Sequence, residues 1–176
     1  MKLFRRRPAL PSASRPPLED SERVVAWCPV GESADAVVVA TNHGLWLPAA
    51  EKRLGWHEIH KVAWSGRELR IIPAVVAGVR DDYTVLEDGP AVTYLLLEPG
   101  EVPDQVRTRV TKSVAYTNHH PLPEGAVRVV GRRVSGRNGL TWAVRYDAGT
   151  PVERDEVVSA TDELVGAARN SVAPPA

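Results

Sequence analysis

The chain reads as an α+β protein, mainly β: a seven-stranded antiparallel barrel capped by a helix, followed by a C-terminal ββα extension. Three observations predict this. Three of the five tryptophans, Trp46, Trp56 and Trp64, fall in a short stretch of Leu, Ile and Val runs broken by Asn42, Gly44, Pro48 and Gly55. Such apolar residues favour a half-buried pleated surface, and Asn, Gly and Pro make its turns. Short strand-like runs recur as far as Leu97 with turn residues and no helical period between them, the pattern of a small antiparallel barrel or sandwich. Beyond Pro99-Gly100 the period changes, because Val102, Val106, Val110 and Val114 recur every fourth residue, as on one face of a helix.

In chain order, residues 1–20 are rich in Pro, Ser and Arg and predict a disordered basic arm, since they offer few side chains whose burial offsets the entropy of ordering. Strands are predicted over 23–30, 35–41 and 44–47, joined by Gly31-Glu32-Ser33-Ala34 and by the tight Asn42-His43-Gly44 turn. Connections this short make neighbours antiparallel. A fourth strand with an irregular middle covers 54–64, a fifth 67–76, a sixth 82–86, and a seventh 91–97 after the Glu87-Asp88-Gly89-Pro90 turn. The valine-striped helix is expected over about 103–116. Its β-branched content gives it weak intrinsic propensity, so packing must hold it as a lid on the sheet. Asn118-His119-His120-Pro121-Leu122-Pro123 should break it into a loop, because proline disfavours helix at itself and at the residue before.

The last third, residues 119–170 with a tail at 171–176, predicts a ββα unit packed on a barrel domain spanning 21–118. Strands over 126–135 and 140–147 flank Gly136-Arg137-Asn138-Gly139, and Asn-Gly is a strong hairpin signal. Leu140, Trp142, Val144 and Tyr146 alternate with Thr141, Ala143, Arg145 and Asp147, which gives the second strand one apolar face. Thr150-Pro151-Val152-Glu153 has the form of a capping box with proline at the first helical position, so a helix should begin there. Its buried stripe is Val157, Thr161, Leu164, Val165 and Ala168.

Two segments carry a likeness beyond the periodicity. Ala40-Thr41-Asn42-His43-Gly44-Leu45-Trp46-Leu47, followed by Gly55-Trp56-His57-Glu58-Ile59-His60-Lys61-Val62, resembles the bacterial pleckstrin-homology-like pattern. In that pattern a second strand ends at Thr-x-x-Gly-Leu and a later strand runs Trp-x-x-Ile-x-x-Val. The likeness covers roughly residues 21–117. It implies a seven-stranded barrel closed by one helix, in a family with protein-binding and lipid-binding members and many of no assigned role. The second strand pair lacks the Lys and Arg cluster that phosphoinositide-binding members place around their loop.

Composition narrows the function classes. The 176 residues are 43% hydrophobic, enough for a real core, and their 22 cations balance 22 acids. Residues 1–17 hold five of those cations (Lys2, Arg5, Arg6, Arg7 and Arg15) and no acid, leaving 17 cations against 22 acids in the rest. A mildly acidic body argues against a dedicated nucleic-acid-binding domain. The single Cys28 excludes an internal disulfide and fits a reducing compartment. The basic start is followed by prolines and serines where a signal peptide needs an apolar stretch, and no window approaches the length of a membrane span. The expected address is the cytosol, at most peripheral to a membrane.

No catalytic, cofactor or metal residue is assigned. His57-Glu58-Ile59-His60 lacks the four-residue spacing of a helical zinc motif, since position 61 is Lys. Ser135 lacks the Gly-x-Ser-x-Gly elbow, and Gly131, Gly136 and Gly139 lack a phosphate-loop spacing. Cys28, ending an apolar run before Pro29, reads as an inert buried thiol. Trp46, Trp56, Trp64 and Trp142 read as core. The interaction candidates are Arg5, Arg6 and Arg7 of the arm, Arg132 and Arg133 of the hairpin, and His119-His120 in the expected loop. The expected function is a non-catalytic interaction module that binds an unknown protein partner. The second reading is weak contact with anionic membrane through the basic arm. A remote third is a small metal-dependent or hydrolytic enzyme using His57, His60, His119 and His120.

Overall fold

The computed structural model describes residues 8–33 and 35–172; Arg5, Arg6 and Arg7 lie outside the described residues. The fold is α+β and mainly β: a four-stranded sheet, a curled mixed half-barrel and two helices. The first sheet runs in the order β1-β2-β3-β4, from Val24–Pro29, Val37–Thr41, Gly44–Trp46 and Leu54–Gly55. Its tight β2–β3 turn is held by Thr41, whose Oγ1 accepts from the backbone N–H of both His43 and Gly44 at 3.1 Å. Gly44 is required on packing grounds, because a Cβ there would stand 2.4 Å from the Leu54 carbonyl oxygen on β4. The expected irregular fourth strand is a short 3-10 turn, Trp56–Glu58, between β4 and β5 (Ile59–Trp64).

The second sheet runs β5-β6-β7-β11-β10-β9, with β8 alongside β6. Its further strands are β6 Glu68–Val79, β7 Thr84–Asp88, β8 Val92–Leu95, β9 Val114–Pro121, β10 Ala126–Arg133 and β11 Leu140–Tyr146. The described pairings are antiparallel except one: β11 pairs β7 in parallel through Ala143–Thr84 and Val144–Val85. The C-terminal hairpin is thus joined to the preceding strands by backbone hydrogen bonds as well as by side-chain packing. A Val30–Leu96 bridge, with Gly31 N–H donating to the Leu95 carbonyl and Leu97 N–H to that of Pro29, links β1 to the end of β8.

Three apolar clusters follow from this layout. The first lies between the two sheets and contains Cys28, Leu45, Trp56, Ile59, Leu69, Ile71 and Leu96, closed by Val102 and Val106 of α1 (Val102–Ser113). Of the expected valine stripe, Val102 and Val106 are thus buried on α1 and Val110 packs partly against the same core. The second lies between the convex face of the half-barrel and α2 (Asp155–Val172), joining Val85, Val127, Val129, Val144, Val165 and Ala168. The third, on the outer face of the first sheet, has Val37, Val39 and Trp46 beside Trp27 of β1 and packed against Leu10 and Leu18.

Several local expectations are corrected. Residues 114–121 are strand β9, where the helix was expected to run to about 116 and a loop to follow over 118–123, because Pro121 ends an edge strand where a missing N–H costs no ladder bond. Val114 belongs to that strand and not to the helix. Trp64 is 37% exposed rather than core, since the last residues of edge strand β5 have no layer over them. The Thr150 capping box is not used: Thr150 Oγ1 bonds Ala126 N–H and carbonyl instead, and α2 begins at Asp155. The β10–β11 connection closes through Arg137 N–H to the Val134 carbonyl, with Gly136 and Gly139 at positive φ, and not through a two-residue Asn-Gly turn.

Candidate functional site

β10 sorts its side chains by strand alternation. Val127 and Val129 point to the convex face and are buried under α2, whereas Arg128, Val130 and Arg132 face the hollow of the half-barrel. A register irregularity between Gly131 and Arg132 ends the regular ladder with β9. From there Arg132 and Arg133 part company, both reaching the C-terminal end of α1. Arg132 Nη1 donates to Ser113 Oγ at 2.9 Å, and Arg133 Nη1 donates to the Lys112 carbonyl at 3.1 Å. A cation on these last carbonyls also complements the negative end of the helix.

Beside this junction lies a cleft of about 510 Å³ between α1, the β10–β11 loop and the β2–β3 turn. Four cations line it: Arg109 and Lys112 from α1, with Arg133 and Arg137 from the hairpin. Asn42, Ser113, Ser135 and Asn138 add neutral polar groups, the buried Trp56 supplies apolar wall, and no carboxylate is in the lining. His57 is held below its ordinary value by burial; Glu58 opposes this, while Arg132, Arg137 and Arg53 add to it. Arg109 is lowered by burial and then by Arg23. Low-dielectric walls with one sign of charge focus a field on an incoming anion.

The hollow on the concave side of β10 is a second basic surface, about 180 Å³, lined by His60, Arg128, Arg132 and Arg145 over Leu86, Val114, Val130 and Ala143. Asp88 accepts from Arg145 at 2.6 Å and lies 2.8 Å from His60 Nδ1. His60 is lowered by burial, against the opposing pull of Asp88.

The structure thus divides the residues expected from sequence. Arg132 and Arg133 sit at a basic junction. His119 and His120 lie toward the far end of β9, opposite Arg128 and Val127. His119 Nε2 stands 3.0 Å from Asp147, and His120 Nε2 is buried without a hydrogen-bond partner among the described residues. None of His57, His60, His119 and His120 belongs to a group able to share an ion among the described residues. The one such group is Glu19, Glu22 and His43, where the Arg53 guanidinium already contacts both carboxylates, at 2.6 Å from Glu22 and 3.4 Å from Glu19. Cys28 is buried and its thiol is pushed up to about 11 by desolvation. Sequence reasoning missed Arg109, Lys112 and Arg137 as site residues. The i, i+3 pair Arg109 and Lys112 beside the valine stripe was the available signal; nothing local ties it to a hairpin loop some 25 residues away.

Comparison with protein-family models, curated proteins and solved structures finds no match to this chain. No helix among the described residues is long and apolar enough to cross a membrane.

Proposed function

We propose that this chain is a non-catalytic interaction module, built on a pleckstrin-homology-like barrel, that binds an acidic segment of a partner protein across the cleft between α1 and the β10–β11 loop. The barrel reading is supported by the order of residues 24–113: four paired strands, a link from β1 to β8 at the Val30–Leu96 bridge, and a final helix whose valines close the core between the sheets. The observation that carries the binding reading is the cleft lining, four cations with no carboxylate in a chain of zero formal net charge. Its lining suits an extended acidic stretch, with arginine forks for carboxylates and asparagines for the peptide backbone.

The test is fluorescence anisotropy with a labelled Glu-rich peptide and its Gln-rich counterpart. The acidic peptide should bind in a salt-sensitive manner, and the double variant Arg133→Gln, Arg137→Gln should weaken it about tenfold or more while the chain still unfolds cooperatively. Equal binding of the two peptides, or no loss in the double variant, removes the proposal. The second reading, contact with anionic membrane, rests on the five cations and no acid of residues 1–17. Vesicle sedimentation that survives the double variant and vanishes when Arg5, Arg6 and Arg7 are replaced by Gln assigns membrane contact to the arm.

A further inference from the structure

The concave side of the half-barrel poses a problem that the cleft does not. Arg132 is half-buried, and burial followed by the nearby Arg145 disfavours its charged form. Among the described residues its guanidinium forms no ion pair, and the one hydrogen-bond partner of that group is the Ser113 hydroxyl at 2.9 Å. A guanidinium withdrawn from water without a carboxylate is costly unless its donors are met. Beside it, Arg145 is oriented by its 2.6 Å bond to Asp88, which His60 holds from the other side. Arg128 completes the wall, its Nη1 3.5 Å from Thr117 Oγ1. Three arginines therefore line one hollow, and the acid bonded to that lining, Asp88, is already shared by two partners.

We propose that this hollow is a separate site for a single tetrahedral oxyanion, a phosphate or a phosphomonoester, held by Arg128, Arg132 and Arg145. Guanidinium forks match such oxygens in bidentate fashion. The floor of Leu86, Val114, Val130 and Ala143 lowers the local dielectric and so strengthens each contact. The volume of about 180 Å³ admits a small anion with a few waters, at about 30 Å³ per water, and not a folded partner. Adjacent residues of a strand face opposite ways, so Arg132 lines the hollow and Arg133 the cleft, with the Arg132 guanidinium also bonded to Ser113 at the cleft's edge. The two sites draw on different arginines, and this inference stands whether or not the cleft binds a peptide.

Calorimetric titration of the full chain with inorganic phosphate at low ionic strength tests the site. One saturable event is expected. Arg132→Gln and Arg128→Gln should each weaken it about tenfold or more, whereas Arg133→Gln and Arg137→Gln should leave it within about twofold. Phosphate should also raise the melting temperature of the parent chain and not of the Arg128→Gln variant. A second titration, with a phosphoserine peptide otherwise uncharged, separates the sources. Tighter binding than inorganic phosphate assigns the site to a partner's phosphate group, and equal or weaker binding assigns it to the free anion. The exposed Arg128 carries the test should Arg132→Gln fail to fold. Absence of saturation, or equal weakening by Arg133→Gln, overturns the proposal, since it would mark diffuse attraction to positive charge.

Discussion

Glu22 is the one charged side chain among the buried polar residues described, and it shows how a single carboxylate can order its surroundings. Its oxygens accept from Thr41 Oγ1 at 2.6 Å, Trp46 Nε1 at 3.0 Å, the Arg53 guanidinium at 2.6 Å and the Glu19 N–H at 3.2 Å. Burial alone would raise its pKa. The hydrogen bonds of Thr41, Trp46 and Glu19, with the charge of Arg53, outweigh that and hold it below its ordinary value of 4.5. A depressed folded-state pKa contributes stability that is present above 4.5 and lost as pH falls through the folded value. Glu22→Gln should therefore cost about 2 kcal/mol at neutral pH. Urea melts should show the gap between variant and parent narrowing progressively below pH 4.5. A gap unchanged down to strong acid would mean that the charge of Glu22 contributes nothing.

At the scale of elements, the β9–β10–β11 ladder depends on a large ring lying over a residue without a side chain. Trp142 pairs with Gly131, and a Cβ on Gly131 would meet the indole at 3.1 Å. The ring instead packs over the strand, tilted at 57° to Tyr116 with centroids 5.5 Å apart. The alternation read from the sequence is realised here: Trp142, Val144 and Tyr146 pack in the cluster that α2 covers, and the Tyr146 hydroxyl bonds Thr161 Oγ1 at 3.0 Å. Trp142→Ala should cost about 3 kcal/mol, the lower part of the range for a large aromatic because the ring is only half-buried. Gly131→Ala should cost about 1 kcal/mol, as the ring must shift by a few tenths of an ångström. Thermal melts of the two variants check the order, and a Gly131→Ala variant as damaging as Trp142→Ala would show that the strand itself cannot move.

The whole molecule is tied across its length by the parallel β7–β11 pair. Tyr83 and Val85, which precede α1 in the chain, are buried by β10, β11 and α2, which follow it, and the Tyr83 hydroxyl lies 2.6 Å from Asp162 of α2. A chain ending at Asn118 would leave that apolar face open and the outer edge of β7 unpaired, an invitation to association. It should lose solubility or cooperative unfolding. A soluble product with the parent's unfolding midpoint would instead show that the two parts of the chain contribute separately.

The sequence by itself determined the class of fold and most of its strands, because alternation, turn residues and the valine period are local signals that survive any arrangement of the elements. It also marked the buried stripes of α1 and α2 and singled out Arg132 and Arg133. Where local signals compete, it misread them. Pro121 looked like a helix breaker opening a loop but ends an edge strand, Thr150 looked like a cap but serves Ala126, and Trp64 looked like core but overhangs an edge. Edges are a property of the assembled sheet, so no window of sequence contains them. The parallel pairing of β7 with β11, the division of Arg132 and Arg133 between two surfaces, and the meeting of Arg109 and Lys112 with Arg137 were decided only by tertiary structure. Each depends on the approach of segments far apart in the chain, and charge at such distances leaves no periodic trace in the residues between.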